Sequence, residues 1–151
     1  NGLHPEIGHW RLSEEGPTAF GRIGSAEALC SAKGLGRIAT WLFPECWPAE
    51  PEPAAVSALA AQGHAMAEAV LKRHALYTAR VCAMIAELLC PDLILLGSLA
   101  THIGPRWTNE VQTRFQEEVL PRIGDKVNVQ PNALGKRLQD LSALVVALPT
   151  T

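Results

Sequence analysis

The chain of 151 residues lacks an excess of either charge: 13 Lys and Arg face 15 Asp and Glu, a formal net charge of -2. No basic footprint for nucleic acid follows from such a balance, so nucleic acid is not an expected partner. A membrane-spanning run of ~20 apolar residues is also missing. The longest candidate, Met84 to Leu99, is interrupted by Glu87, Pro91, Asp92 and Gly97. Its four cysteines, at positions 30, 46, 82 and 90, never show the two-residue spacing of a zinc knuckle. Cys82 and Cys90 fall in an apolar helical stretch and read as small buried hydrophobes. No secretory leader opens the sequence, which makes the cytoplasm the expected compartment and a membrane an unexpected partner. An initiating methionine is absent as well. Asn1-Gly2-Leu3-His4-Pro5 reads as the interior of a longer polypeptide, with an upstream half expected to be missing.

What is present is ordinary globular material: 48% hydrophobic and 19% charged residues, in a length that suits one domain with a substantial core. Residues 1–24 are rich in Gly and Pro and read as loops and short strands. Ser25 is placed to cap a helix through Cys30, with Glu27 in its first turn. Gly34 and Gly36 are expected to end or weaken that helix. Pro44, Pro48, Pro51 and Pro53 exclude a regular helix over 44–53, which reads as a hinge. A dimer contact around Trp47 is the other reading of that segment.

A short helix to about Ala61 and a long one from about Ala65 to Leu89 follow. On the long helix Met66, Val70, Tyr77, Val81, Met84 and Leu88 form an apolar stripe at helical steps. Pro91 stops it, and Asp92 to Gly97 reads as a buried strand. Then come a helix from about Trp107 to Leu120, an alternating strand over Lys126 to Val129, and a last helix from about Ala133 to Leu148. Helices alternating with short apolar strands predict an α/β fold with a helix-flanked, largely parallel sheet.

Glu6-Ile7-Gly8-His9 is the most informative cluster. An acid and an imidazole three apart, in a turn containing glycine, can address one small polar ligand. Carboxylates accept from hydroxyls, and a neutral imidazole donates or accepts. By itself Glu-x-x-His is a common surface-loop pattern. Glu27 alone is equally well an acid placed at a helix N-terminus to meet the macrodipole. Gly97 and Ser98 alone read as a strand-to-helix turn with Ser98 as cap. His102 and His64 read as surface histidines, and Trp10 as packing beneath the Glu6–His9 turn or as a ring able to stack on a ligand.

Taken in order, however, His4-Pro5-Glu6-Ile7-Gly8-His9, Gly16-Pro17 and Gly21-Arg22-Ile23-Gly24-Ser25-Ala26-Glu27-Ala28 resemble the signature region of the ROK family of sugar kinases and repressors. Cys90-Pro91-Asp92-Leu93-Ile94-Leu95-Leu96-Gly97 is similar to that family's segment of asparagine, proline, aspartate, apolar strand and glycines. Leu134 to Ala143 resembles its last helix. The likeness runs over nearly the whole chain and corresponds to the family's C-terminal lobe. It implies one lobe of an actin-like, hexokinase-like (ribonuclease H-like) ATPase fold, a helix-flanked mixed sheet that is incomplete without an N-terminal lobe. It further implies that Glu6, His9 and Glu27 contact the hydroxyls of a hexose, and that Gly97 and Ser98 lie where the backbone approaches adenosine.

The family's zinc site joins the histidine of the turn to three cysteines of the following loop. Here that loop, Gly16 to Ser25, contains no cysteine, and Ser25 stands at the third cysteine position. A structural zinc takes four N or S ligands, so no zinc is expected. Packing by Phe20 and Ile23 is expected to hold the loop instead, leaving His9 free for a ligand. ATP-dependent transfer also needs a phosphate-cradling loop and a carboxylate base, which the resemblance places upstream of residue 1. Asp92, Asp125 and Asp140 offer no substitute, so no catalytic residue is assigned and the isolated chain is expected to be inactive. ATP with Mg is the cofactor implied for the intact protein.

Three readings follow from this: the sugar-binding part of an ATP-dependent hexose kinase of glucokinase type, the sugar-sensing half of a repressor, or a homodimerising module derived from the kinase lobe.

Overall fold

The computed structural model describes residues 4–137 and 141. Its centre is the long helix α4 (Ala65–Leu89), against which α1 (Ala26–Cys30), α2 (Gly34–Leu42), α3 (Pro53–Ala61) and α6 (Pro105–Glu118) all pack. The buried positions of α4 include Ala67, Val70, Leu71, His74, Ala75, Tyr77, Cys82, Ala83 and Ala86. That face is rich in alanine, and small side chains let four neighbouring helices come close. Of the apolar stripe expected on this helix, Val70 and Tyr77 are buried, whereas Met66, Met84 and Leu88 are exposed. Phasing on the largest side chains misplaces Met66, Met84 and Leu88, because the inward face sets five alanines beside Val70, Leu71, His74 and Tyr77. Leu29, Leu35, Ile38, Val70, Val111 and Phe115 are almost fully buried in this core, each worth about 1.5–3 kcal/mol in area removed from water.

Local rules account for most boundaries. The Ser25 hydroxyl accepts from Ala28 N at 3.3 Å and caps α1, as its position before Ala26 requires. The chain leaves helical geometry at Ser31 (ψ 167°) and re-enters it as α2. Gly34 and Gly36 therefore do not weaken the first helix; they lie inside the second. Their reason is close packing. A Cβ on Gly36 would stand 2.4 Å from the Pro51 carbonyl oxygen, and one on Gly34 only 3.0 Å from the Leu29 carbonyl carbon. The proline-rich segment is non-helical up to Glu52, and Pro53 then serves as the first residue of α3, where its missing N–H costs nothing. The His64 imidazole is exposed, as expected, but also caps α4 by accepting from Ala67 N at 3.4 Å.

Strands β1 (Thr18–Ala19) and β2 (Arg22–Ile23) form a small antiparallel hairpin. Strands β3 (Leu93–Leu96) and β4 (Asn128–Pro131) form a parallel pair. The α/β alternation thus appears with its sheet reduced to two strands among the described residues. Ile94 and Leu96 share the inner face with Val129, while Leu93 and Leu95 lie on an outer face and are 45% and 58% exposed. The strand expected to be buried is covered on one side only, because the described helices pack on just one face of the pair. Cys90 is exposed too, contrary to expectation. It ends α4 in the left-handed conformation (φ 48°), a position that turns the side chain away from the helix face.

Gly97 leads into α5 (Ser98–Ile103), so the cap is Gly97 and Ser98 is already helical, one residue from the expected cap. The short helix α7 (Pro121–Gly124) precedes β4. The expected last helix lies mostly outside the described residues; its start is a turn followed by a 3-10 turn, Gly135–Arg137.

Candidate functional site

The Glu6–His9 segment folds as a 3-10 turn over Ile7–His9, closed by His9 N donating to Glu6 O at 3.0 Å and Trp10 N to Ile7 O at 3.0 Å. Three further bonds seat this turn on the start of α1. Ala26 N donates to Trp10 O at 2.8 Å, Leu12 N donates to Gly24 O at 2.8 Å, and the Arg22 guanidinium donates to His9 O at 2.9 Å. Gly24 is indispensable to that seating. It has φ 62°, and any Cβ would fall on the Ser13 carbonyl. Glu27, in the first turn of α1, comes to lie beside Gly8. A Cβ built on Gly8 would be 3.7 Å from Glu27 Cβ and 3.9 Å from Glu27 Oε2. The fold therefore brings the second glutamate under the turn that carries Glu6 and His9, across 18 residues of sequence. Glu6 is exposed, while Glu27 and His9 are half-buried. Arg37 Nη1 donates to the Glu27 carbonyl at 3.2 Å, fixing the backbone of α1 from α2.

The following loop differs from expectation. Phe20 is 82% exposed and Ile23 is 46% exposed, so neither anchors it. Backbone hydrogen bonds, the buried Ala19 and the capping Ser25 hold it instead. A zinc ion does not fit here. No cysteine lies in the loop, the ring beside His9 is Phe20 (centroids 5.9 Å apart), and no group of three or more potential metal ligands clusters among the described residues.

Gly97 and Ser98 sit elsewhere, at the carboxyl end of β3, leading into α5, which packs against α6 and α3. Gly97 has φ -72°, and a Cβ there would meet nothing within 4 Å. Neither conformation nor internal packing demands glycine at this place. Close by, at the carboxyl ends of the parallel strands, a cleft of about 370 Å³ is lined by Thr101, Gly104, Thr108, Asn109, Gln112 and Asn132, among others. Ligands of open α/β sheets bind in such crevices. Asn132 is buried, and neither atom of its amide has a hydrogen-bond partner among the described residues. Sequence reasoning missed Asn132, because a single polar residue after Pro131 carries no periodic or motif signal. His102, on α5, is exposed.

The helical core holds one further histidine, for which no role is expected from the sequence. His74 is fully buried on α4. It hydrogen-bonds Ser31 O through Nε2 at 3.1 Å, and its Nδ1 accepts from the Trp107 indole at 3.2 Å. Indole N–H only donates, so Nδ1 is the acceptor and the proton resides on Nε2. Burial lowers its pKa to about 4, against a smaller opposing effect from the Ser31 carbonyl. No described helix is long and apolar enough to cross a membrane.

Residues 1–142 match the profile that describes the ROK family. The chain is 29% identical over 149 residues to a glucokinase of Halalkalibacterium halodurans, an alignment covering 89% of this chain and 44% of that protein. Among solved structures, the ROK hexokinase from Thermus thermophilus superposes with a TM-score of 0.75 at 22% identity, over 93% of this chain and 46% of that one. A ROK family glucokinase from Streptomyces griseus, in complex with glucose and AMPPNP, gives 0.71 at 22% identity, over 90% and 48%. A ROK family transcriptional regulator, a homolog of the E. coli MLC protein, gives 0.68 at 19% identity, over 83% and 33%. The chain thus spans less than half the length of each of these relatives.

Proposed function

The chain belongs to the ROK family, and from that premise we propose that it is the sugar-binding C-terminal lobe of an ATP-dependent hexose kinase of glucokinase type. Glu6, His9 and Glu27 hold the sugar hydroxyls: the two carboxylates accept, and the imidazole donates or accepts. The observation that carries this reading is the approach of the Glu27 carboxylate to Gly8, inside the turn bounded by Glu6 and His9. Residues 1–24 supply most of the contacts, and 44–53 form a hinge. The backbone at Gly97 and Ser98, beside the cleft bounded by α5, α6 and Asn132, receives the nucleoside end of ATP with Mg in the intact protein. The open space around Gly97 supports that placement. ATP supplies the phosphoryl group there, and this chain's part is to bind and orient the acceptor. With no catalytic base assigned, transfer belongs to the intact protein, whose compartment we take to be the cytoplasm.

Binding of glucose, mannose, fructose and N-acetylmannosamine to this chain, followed by calorimetry, tests the reading. One of these hexoses binds, and Glu27→Gln weakens it at least tenfold, since a hydrogen bond to a charged group contributes about 1.5–3 kcal/mol. Absence of binding across the panel, or binding indifferent to Glu27, would refute it. The same trio would equally serve a sugar-sensing regulator, a reading supported by the likeness to the transcriptional regulator.

One observation also favours a homodimer. Met84 and Leu88, one turn apart on α4, are 39% and 66% exposed, next to the exposed Leu89. Leu120 N donates to the Glu87 carboxylate at 2.9 Å, so the 47%-exposed Leu120 borders the same area. Exposed apolar side chains grouped in this way support the reading of an interaction face. Sedimentation velocity on native chain and on Leu88→Glu decides this point. A dimer that the substitution dissociates supports it, and a monomer at all concentrations removes it.

A further inference from the structure

The hairpin that follows the Glu6–His9 turn carries an unusual residue at its tip. Strands β1 and β2 are joined by Phe20 and Gly21 alone, with φ values of 47° and 74°. Positive φ at both central residues is the signature of a type I′ turn, whose first position ordinarily takes Asn, Asp or Gly. A bulky aromatic in the left-handed region costs roughly 1–2 kcal/mol. Burial does not offset that cost, because the ring is 82% exposed.

The strained residue is also held in place. Arg22, in the same hairpin, donates to the His9 carbonyl at 2.9 Å and ties the hairpin to the turn. The buried Ala19 side chain holds the other strand to the body of the protein. So fixed, the Phe20 ring stands with its centroid 5.9 Å from that of the His9 imidazole, tilted by 56°. An uncovered apolar disc thus borders a polar group that addresses hydroxyls.

A pyranose presents these two chemistries side by side. Its rim carries hydroxyls, and its faces carry C–H groups with slight positive charge. Carboxylates and imidazole suit the rim. The negative face of an aromatic ring suits the C–H groups and removes apolar area from water at the same time. We propose that Phe20 is the aromatic wall of the sugar site, stacking on the C–H face of the hexose that Glu6, His9 and Glu27 hold by its hydroxyls. This rests on the sugar-binding reading given above. It accounts for both anomalies at one residue: the ring is exposed because the ligand covers it, and the backbone strain holds it beside His9.

The test is calorimetric hexose binding by Phe20→Ala, Phe20→Trp and Glu27→Gln, with chemical denaturation of each variant. Phe20→Ala should weaken the hexose about tenfold, the equivalent of ~1.4 kcal/mol, while leaving the unfolding midpoint unchanged or slightly raised. Phe20→Trp, which keeps an aromatic face, should restore binding to within about twofold of native. If Glu27→Gln abolishes binding but Phe20→Ala binds as tightly as native, the sugar site stands and the aromatic wall falls. If no hexose binds the native chain, or if Glu27→Gln is silent, both fall. A Phe20→Ala variant whose binding is intact but whose oligomeric state changes would assign the ring to a contact between copies and overturn the proposal.

Discussion

The Trp107 indole N–H donates to His74 Nδ1 at 3.2 Å in the core between α4 and α6, while the opposite ring nitrogen of His74 meets the carbonyl of Ser31, at the end of α1. Three helices are joined through one neutral imidazole with both nitrogens engaged. A proton on Nδ1 would set a donor against the indole donor, so this packing tolerates only one tautomer of the uncharged ring.

That constraint fixes a pH dependence. The His74 pKa is about 4 in the folded chain, against ~6.5 when unfolded. Between these values the unfolded chain binds the extra proton, so stability falls as pH drops from about 6.5 to about 4 and is fully present above that window. The contribution at stake is about 3 kcal/mol. Urea midpoints at pH 7.5 and pH 4.5 should separate strongly for the native chain and clearly less for His74→Phe. An equal separation would assign the dependence to other groups.

Gly97 and Gly36 should respond oppositely to alanine. A Cβ at Gly97 meets open space at an ordinary φ, so Gly97→Ala stays within about 0.5 kcal/mol of native. At Gly36 the Cβ would lie 2.4 Å from the Pro51 carbonyl oxygen, and forcing that contact costs roughly 1–3 kcal/mol. Denaturation of the two variants side by side checks the contrast. If Gly97→Ala keeps its stability while losing AMPPNP binding, the backbone approach to a nucleotide gains support.

Asn132 carries two buried amide atoms without partners among the described residues. Such groups cost about 1–3 kcal/mol each, so Asn132→Leu, close in volume, should raise stability by roughly 1 kcal/mol. A lower unfolding midpoint would mean that the amide is paired in solution, as by an ordered water. Nucleotide affinity measured on the same variant tells whether the amide is kept for a ligand.

The cysteines divide by exposure. Burial pushes the Cys30 and Cys82 thiols up to about 12, whereas Cys46 and Cys90 are exposed. Thiolate is the reactive form. Iodoacetamide at pH 8 should therefore add two groups to the native chain and four after unfolding, as counted by intact mass. Rapid labelling of a third cysteine in the native state would show that the helix pair around Cys30 opens.

Much of the fold was legible along the chain because its signals are local. Ser25 before Ala26-Glu27-Ala28-Leu29-Cys30 specified a cap, and the Ala65–Leu89 helix was bounded by Gly63 and Pro91, whereas Pro53 and Pro121, which read as a hinge residue and a helix stop, each begin a helix. The ordered motifs around Glu6, His9 and Glu27 identified the family before any coordinates. Facing was not legible, because it depends on partners distant in sequence. Four helices packing on α4 chose its alanine face over the larger Met66, Met84 and Leu88. One-sided covering of the parallel pair left Leu93 and Leu95 in water. Phe20, which reads as an anchor, was turned outward by a two-residue hairpin turn, and His74 acquired its role only when Ser31 and Trp107 met it from two other helices. The sequence by itself determined where the capped first helix, the long helix and the strand after Pro91 lie and which family they compose, but not the helices at Gly34–Leu42 and Pro121–Gly124. Only the tertiary structure decided which side of each segment is buried, since burial is a property of the pairing of surfaces and not of any one of them.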